Sequence, residues 1–211
     1  MKGSEKMAEE KVQKQQQAVK PKNKGKTVDK WKKKSWYTIF APLEFERKEI
    51  GETVAEKPEM LIGRTVTITG RELANQAKKN HFTLKFRVKE VAANKAFTEA
   101  FGHEIKESYM RRVVRRRTSK VMVVNNYVSK DNASFRVKIV AVTDRACSGP
   151  QKTAVRKKLE EAAKKTLSEI DSKKMIDEMV FGNVSNSLYA EAKKIVPIKR
   201  VEIVSSALLK K

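Results

Sequence analysis

The stretch His81–Val91, HFTLKFRVKEV, decides how the chain reads. Phe82, Leu84, Phe86 and Val88 fall on one side of an extended backbone and Thr83, Lys85, Arg87 and Lys89 on the other. That period of two predicts a half-buried strand. Ala96 to Phe101 is its expected hairpin partner across Ala93-Asn94. Working outward, Trp36–Phe40 (WYTIF) opens an apolar run closed by Ala41-Pro42, and Arg64–Thr69 (RTVTIT) alternates. Lys120–Val128 and Ser134–Val142 are two further runs joined by Lys130-Asp131-Asn132. Six short strands with short connections predict a closed or nearly closed antiparallel barrel or sandwich. The outward Lys and Arg either form a basic sheet face or blunt edge strands.

Past Cys147 the period becomes helical. Ser148-Gly149-Pro150-Gln151 is a helix start, with Ser as N-cap and Gln at the capping-box position. Val155, Leu159, Ala162, Thr166 and Ile170 make the expected inward stripe. A second helix is expected over Lys173–Phe181 with Gly182 as C-cap, and a third from about Ser187 to before Pro197. Ile198–Val204 (IKRVEIV) alternates again and is expected to return to the sheet. The class is therefore α+β: an antiparallel β-barrel-like or sandwich core with C-terminal helices. Its expected divisions are residues 1–34, a disordered basic tail; 35–147, a mainly β core; and 148–211, a helical region with a final strand.

Charge sets the function class. The chain has 48 Lys+Arg against 25 Asp+Glu, a formal charge of +23. The excess is spread over the length: net +8 in residues 1–34, +9 in 35–150 and +6 in 151–211. Before Trp31 apolar residues are few, with no Ile, Leu or aromatic among them, so that segment cannot offset the entropy of ordering. Such a balance calls for a polyanion, nucleic acid or an anionic membrane. The longest apolar runs are only a few residues, far short of the ~20 needed to span a bilayer. One cysteine, Cys147, leaves no disulfide framework. The expectation is a soluble, intracellular, nucleic-acid-bound protein with no membrane partner.

Within that background one segment stands out: His103–Lys120, HEIKESYMRRVVRRRTSK. Arg111, Arg112, Arg115, Arg116, Arg117 and Lys120 lie within ten positions with no acidic residue among them. Read as a helix, it puts Ser108, Arg111, Arg112 and Arg115 on one face, opposite Ile105, Tyr109, Met110 and Val113. So much like charge on one element is costly without a polyanion, and the planar guanidinium grips phosphate with two bonds. Arg156, Lys157 and Lys158 are further candidate RNA contacts, because Glu160 and Glu161 are matched by Lys164 and Lys165 while these three have no such partners. Lys32, Lys33 and Lys34 complete the candidate set.

Catalytic chemistry is not visible. Neither a Walker A loop nor GxGxxG occurs. Two histidines, His81 and His103, and Cys147 do not make a metal site at recognisable spacing. No catalytic residue, metal ligand or cofactor is assigned.

Several blocks resemble one family: the small-subunit ribosomal protein of archaea and eukaryotes historically called three-A-e, unrelated to the bacterial protein that shares its universal number. The resemblance rests on Trp36-Tyr37-Thr38-Ile39 with Ala41-Pro42, and on IGETVAEKPEMLIGR (Ile50–Arg64). It continues in FGHEIKESYMRRVVRRRTSK (Phe101–Lys120), FRVKIVAVT (Phe135–Thr143) and AEAKKIVPIKRVEI (Ala190–Ile203). The chain departs from the pattern in the loop Thr69–Asn80 and at Asn132-Ala133. It stops at Lys211 without the long C-terminal extension usual in eukaryotic members, which points to an archaeal-like form. The Lys/Gln-rich tail is longer than expected for archaea, and the lineage stays open. The resemblance implies a structural constituent of the small subunit that sits on the platform near the mRNA exit. Its partners would be small-subunit rRNA and neighbouring ribosomal proteins, with mRNA or initiation factors as further candidates. Composition alone leaves a free single-strand or architectural nucleic-acid-binding module as the alternative.

Overall fold

The computed structural model describes residues 31–74 and 79–210. The chain divides into two units, Met1–Lys34 and Ser35–Lys211. In the first, the described residues 31–34 form a turn in which the Lys34 N–H donates to Trp31 O at 3.1 Å. The expected disorder of the tail falls on residues 1–30, outside those described.

The second unit is built on a hairpin. β4 (Phe82–Ala92) and β5 (Lys95–Ile105) pair antiparallel along their whole length. Ala92 faces Lys95 across the turn, and Ala93 takes the left-handed conformation there (φ 52°). One edge of β5 carries β4. The other edge forks: β1 (Ser35–Phe40) lies parallel to Lys95–Phe97, and β8 (Ile198–Lys210) lies antiparallel to Gly102–Glu104. β3 (Thr65–Thr69) extends the sheet beyond β4, and β2 (Glu49–Ala55) extends it beyond β1. β7 (Ser134–Thr143) and then β6 (Lys120–Val128) extend it beyond β8. The result is one continuous, branched eight-stranded sheet.

The α+β class is as expected, and Ile198 onward does return to the sheet, between β5 and β7. Two features differ from the expectation of six antiparallel strands followed by a returning seventh. The β1–β5 contact is parallel. β2 is also a strand, although its sequence EIGETVA shows no alternation. Among the described residues it pairs only with β1, and of its residues only Ala55 is buried, so neither face selects a period of two.

Short helices cover the sheet: α1 (Gly70–Ala74), α2 (Glu107–Val113), α3 (Gly149–Ser168), α4 (Met175–Val180) and α5 (Val184–Lys193). α3 begins where expected, with the Ser148 N–H donating to Gln151 Oε1 at 3.1 Å. Its buried stripe is Val155, Leu159, Ala162, Ala163 and Leu167. The turn-by-turn drift of a 3.6-residue period brings Leu167 inward in place of Thr166, and Ile170 lies beyond the helix end. Gly182 closes α4, its N–H donating to Glu178 O at 3.1 Å.

These helical residues share one buried cluster with Phe86, Val121, Val123, Phe135, Val137 and Ile139 of the sheet. Ile139 and Ala141 alternate with Val140 and Val142, and all four are buried, so β7 is covered on both faces. A smaller cluster of Tyr37, Ile39, Ala55, Leu61, Val88 and Ala96 lies under the other branch.

His103 locks the fork. Its imidazole is 1% exposed, Nε2 lies 2.9 Å from Ile203 O and Nδ1 lies 2.6 Å from Ser206 Oγ. A carbonyl can only accept, so Nε2 carries the hydrogen and Nδ1 accepts from the Ser206 hydroxyl. Burial lowers the His103 pKa from 6.5 to about 4, against the opposing effects of the Ile203 bond and of Glu104. The sign follows: as pH falls, the unfolded chain takes up this proton first. The stabilisation from a neutral His103 is complete above about 6.5 and is lost as pH drops toward 4, a swing of about 3 kcal/mol. Urea midpoints of the wild type and of His103→Gln, compared from pH 4 to 7, should show the extra slope only in the wild type. Parallel curves would contradict this role.

Candidate nucleic-acid interface

The arginine segment folds in three pieces rather than as one helix. His103–Ile105 belongs to β5; all three residues pair with β4, and His103 and Glu104 pair with β8 on the other edge. Only Glu107–Val113 is helical, and Val114 is extended (φ −84°, ψ 111°). Arg115, Arg116 and Arg117 lie on the connection to β6, with Arg117 at φ 65°. The expected face uniting Arg115 with Arg111 and Arg112 is therefore corrected. Continuing the helix would stack Arg111 on Arg115 and Arg112 on Arg116, like charges at i,i+4 next to two β-branched valines.

The apolar half of the reading holds: Tyr109 and Met110 are buried, and Val113 packs against the core. Arg111 and Arg112 are exposed. Arg111 is partly neutralised, with Nη2 2.9 Å from Glu107 Oε1. Arg112 lies over the Tyr109 ring, 5.6 Å from its centroid.

Arg115, Arg116 and Arg117 are exposed and have no ion-pair partner among the described residues. The connection that carries them is nevertheless well tied. The Thr118 hydroxyl donates to Arg115 O at 2.7 Å. Ser119 is buried; its N–H donates to Thr143 Oγ1 at 2.9 Å and its carbonyl accepts the Thr143 N–H at 3.0 Å. The Cys147 N–H donates to Ser119 Oγ at 3.1 Å, fastening the approach to α3 at the same point. Three guanidinium groups thus project from a backbone whose ends are already fixed, which limits the entropy lost on binding an anion.

Lys120 begins β6 and is exposed. α3 packs along β6, and Arg156 reaches back so that Nε donates to Met122 O at 3.3 Å. The structure therefore gathers Arg115–Arg117, Lys120 and Arg156 around Ser119 and the start of β6. Arg156 also satisfies a carbonyl of a strand that has no neighbour on its outer side among the described residues.

Lys157 is exposed and without an ion pair among the described residues. Lys158, expected to lack a partner, has one: Glu191 of α5 at 3.4 Å. Glu191 is shared with Lys194 at 2.6 Å, and the hydrogen bonds from Lys194 and Lys158 hold its carboxyl below the usual range. Helical spacing along α3 carries no information about α5, so this pair was invisible in the sequence. Lys157→Ala should accordingly lower the salt slope of RNA binding by up to ~0.9, and Lys158→Ala by clearly less. A titration of both variants against rRNA checks the order. Lys32, Lys33 and Lys34 are exposed in the first unit, which is described by itself.

Sequence reasoning missed a second group of cations. Lys199 and Arg200 of β8 and Lys79, just before β4, border a cleft of about 420 Å³. Arg200 donates through Nη1 to the Tyr109 hydroxyl, which donates to Glu202 Oε1 at 3.1 Å, tying β8 to α2. Burial pushes the Glu202 carboxyl upward, against the hydrogen bond from Tyr109 and the charge of Arg200. The outward positions of IKRVEIV were the only signal available, and they do not say which helix lies opposite.

Among the described residues there is no group of three His, Cys, Asp or Glu able to hold a metal ion, and no helix is long and apolar enough to cross a membrane.

Comparison with known proteins adds the last observation. The profile of the Ribosomal S3Ae family matches residues 22–211. The small ribosomal subunit protein eS1 of Methanobrevibacter smithii is 38% identical over 191 residues, covering 90% of this chain and 99% of that protein. The protein of the same name from Staphylothermus marinus is 39% identical over 181 residues, covering 86% and 85%. That of Haloarcula marismortui is 37% identical over 175 residues, covering 83% and 82%.

Proposed function

The chain belongs to the Ribosomal S3Ae family, and on that premise we propose that it is a structural constituent of the small ribosomal subunit whose arginine-bearing turn grips rRNA near the platform and the mRNA exit. It is a ribosomal protein and not an enzyme, as its relatives are. The observation that carries the RNA contact is the trio Arg115, Arg116 and Arg117, exposed, unpaired among the described residues and presented from a turn anchored through Ser119. A planar guanidinium matches a phosphate with two parallel bonds, and three on a preset backbone match successive phosphates. Lys120, Lys157 and Arg156 widen the contact, and Lys32–Lys34 with the rest of residues 1–34 add charge from the tail. Neighbouring ribosomal proteins are its other partners in the cytoplasmic subunit, and mRNA or an initiation factor is within its reach at that position.

Sedimentation of a lysate at moderate salt tests the assignment. The protein should migrate with small subunits, leaving little at the top of the gradient. A large free pool that binds DNA reversibly would favour an independent nucleic-acid-binding module instead.

A further inference from the structure

The cleft beside β8 has a chemistry of its own. Its walls come from Lys79 and from Phe82 at the start of β4, from the end of α4 and the α4–α5 connection, from α5 and from the start of β8. Three cations reach it, Lys79, Lys199 and Arg200, against one carboxylate, Glu202, whose side chain is 16% exposed and already accepts the Tyr109 hydroxyl. Lys199 is exposed and makes no ion pair among the described residues. Lys79 is held in place rather than free to swing: Nζ donates to Val180 O at 2.6 Å and lies 5.1 and 5.9 Å from the Phe82 and Phe181 ring centroids. It keeps two further hydrogens for a ligand.

The same cleft has neutral lining suited to a base. Asn186 Nδ2 donates to Asn183 Oδ1 at 3.3 Å. That bond orients the two amides and leaves a donor on Asn183 and an acceptor on Asn186. Tyr189 lies beside them, half-buried, with Lys193 5.7 Å from its ring centroid. A volume of about 420 Å³ is of the size that takes a small-molecule-sized group.

Cations together with an amide pair and an aromatic ring in one cleft suit a nucleotide whose phosphate and base are both accessible. A paired A-form helix offers phosphates on an outer ridge, while its bases remain stacked inside. Resting on the rRNA-binding role proposed above, we infer that this cleft is a second RNA site, one that receives a single unpaired nucleotide of the rRNA turned out of its helix. The phosphate lies against Lys199 and Arg200, the base edge meets Asn183 and Asn186, and the base rests on Tyr189. This site differs in kind from the arginine turn, which reads only backbone charge.

The test maps small-subunit rRNA nucleotide by nucleotide, by 2′-hydroxyl acylation, with the full chain bound. Two variants are compared with the wild type: Lys199→Ala with Asn186→Ala, both exposed positions, and Tyr189→Leu, which keeps apolar bulk but removes the stacking ring. The wild type should shield at least one unpaired nucleotide that both variants leave reactive, with the remaining protections intact and affinity lowered roughly tenfold. If Tyr189→Leu lowers the thermal midpoint, the double variant decides alone. Identical maps for wild type and variant, or losses confined to paired nucleotides, would overturn the inference while leaving the arginine turn in place. Tight saturable binding of a free nucleoside monophosphate to the isolated chain would also overturn it, since the site would then serve a soluble ligand. Absence of any protection by the wild type would remove the rRNA-binding role itself, and the cleft site with it.

Discussion

Gly102→Ala is expected to destabilise the protein by about 3 kcal/mol or more, at the upper end of overpacking costs because the clash falls on backbone. Gly102 lies in β5 where that strand leaves β1 and takes β8 as its neighbour, paired with Ala207. A Cβ there would fall far inside van der Waals distance of the Ser206 carbonyl oxygen, 3.1 Å from its carbon and 3.2 Å from Ala207 Cα. Those atoms are backbone and cannot swing aside, so the β5–β8 ladder itself must open. The adjacent His103–Ser206 hydrogen bonds would be strained with it. The control is Gly149→Ala, because nothing lies within 4 Å of a Cβ at Gly149; it should change stability by no more than about 0.5 kcal/mol. Urea unfolding of the two variants makes the comparison. Equal midpoints would mean that the fork at β5 is not where the two sheet branches are joined.

What the sequence revealed of this architecture depended on how locally each feature is encoded. β4, β5, β6 and the first half of β7 were legible because one face of each is buried, which imposes alternation, and because their turns carry the appropriate residues; the second half of β7, covered on both faces, shows as the continuous apolar run Ile139–Val142. β2 was not, since an edge strand flanked by one neighbour leaves its side chains unselected. The fork was not legible either. No pattern within Lys95–Ile105 says that one edge is shared between β1 and β8, although the small residue at Gly102 marks the place once the partner is known. In the arginine segment the composition gave the density of cations but not the shape. Pairing of His103 and Glu104 on both edges, and of Ile105 with β4, overrode helical spacing, and charge repulsion along the helix agrees with its ending at Val113. The cleft at Lys199 brings together residues from distant parts of the chain, which a linear reading keeps apart.

The second large effect concerns binding rather than stability. Arg115, Arg116 and Arg117 changed together to Ala should leave the fold intact, since all three side chains are exposed and make no ion pair among the described residues. Each exposed charge removed is expected to shift stability by no more than about 0.5 kcal/mol. The turn itself is held by Thr118, Ser119 and Thr143, none of which is altered. Arg111 is already satisfied by Glu107, so Arg111→Ala is expected to have a smaller effect than any one of the three. The decisive measurement for the arginine turn is the affinity of the full chain for small-subunit rRNA across a salt series, wild type against this triple variant. The variant should bind more weakly. Its plot of log affinity against log salt should be shallower by up to about 0.9 for each phosphate left unneutralised on duplex backbone, or ~0.7 on single strands. Unchanged affinity with an unchanged slope would contradict this role, and would remove the arginine turn from the interface with rRNA.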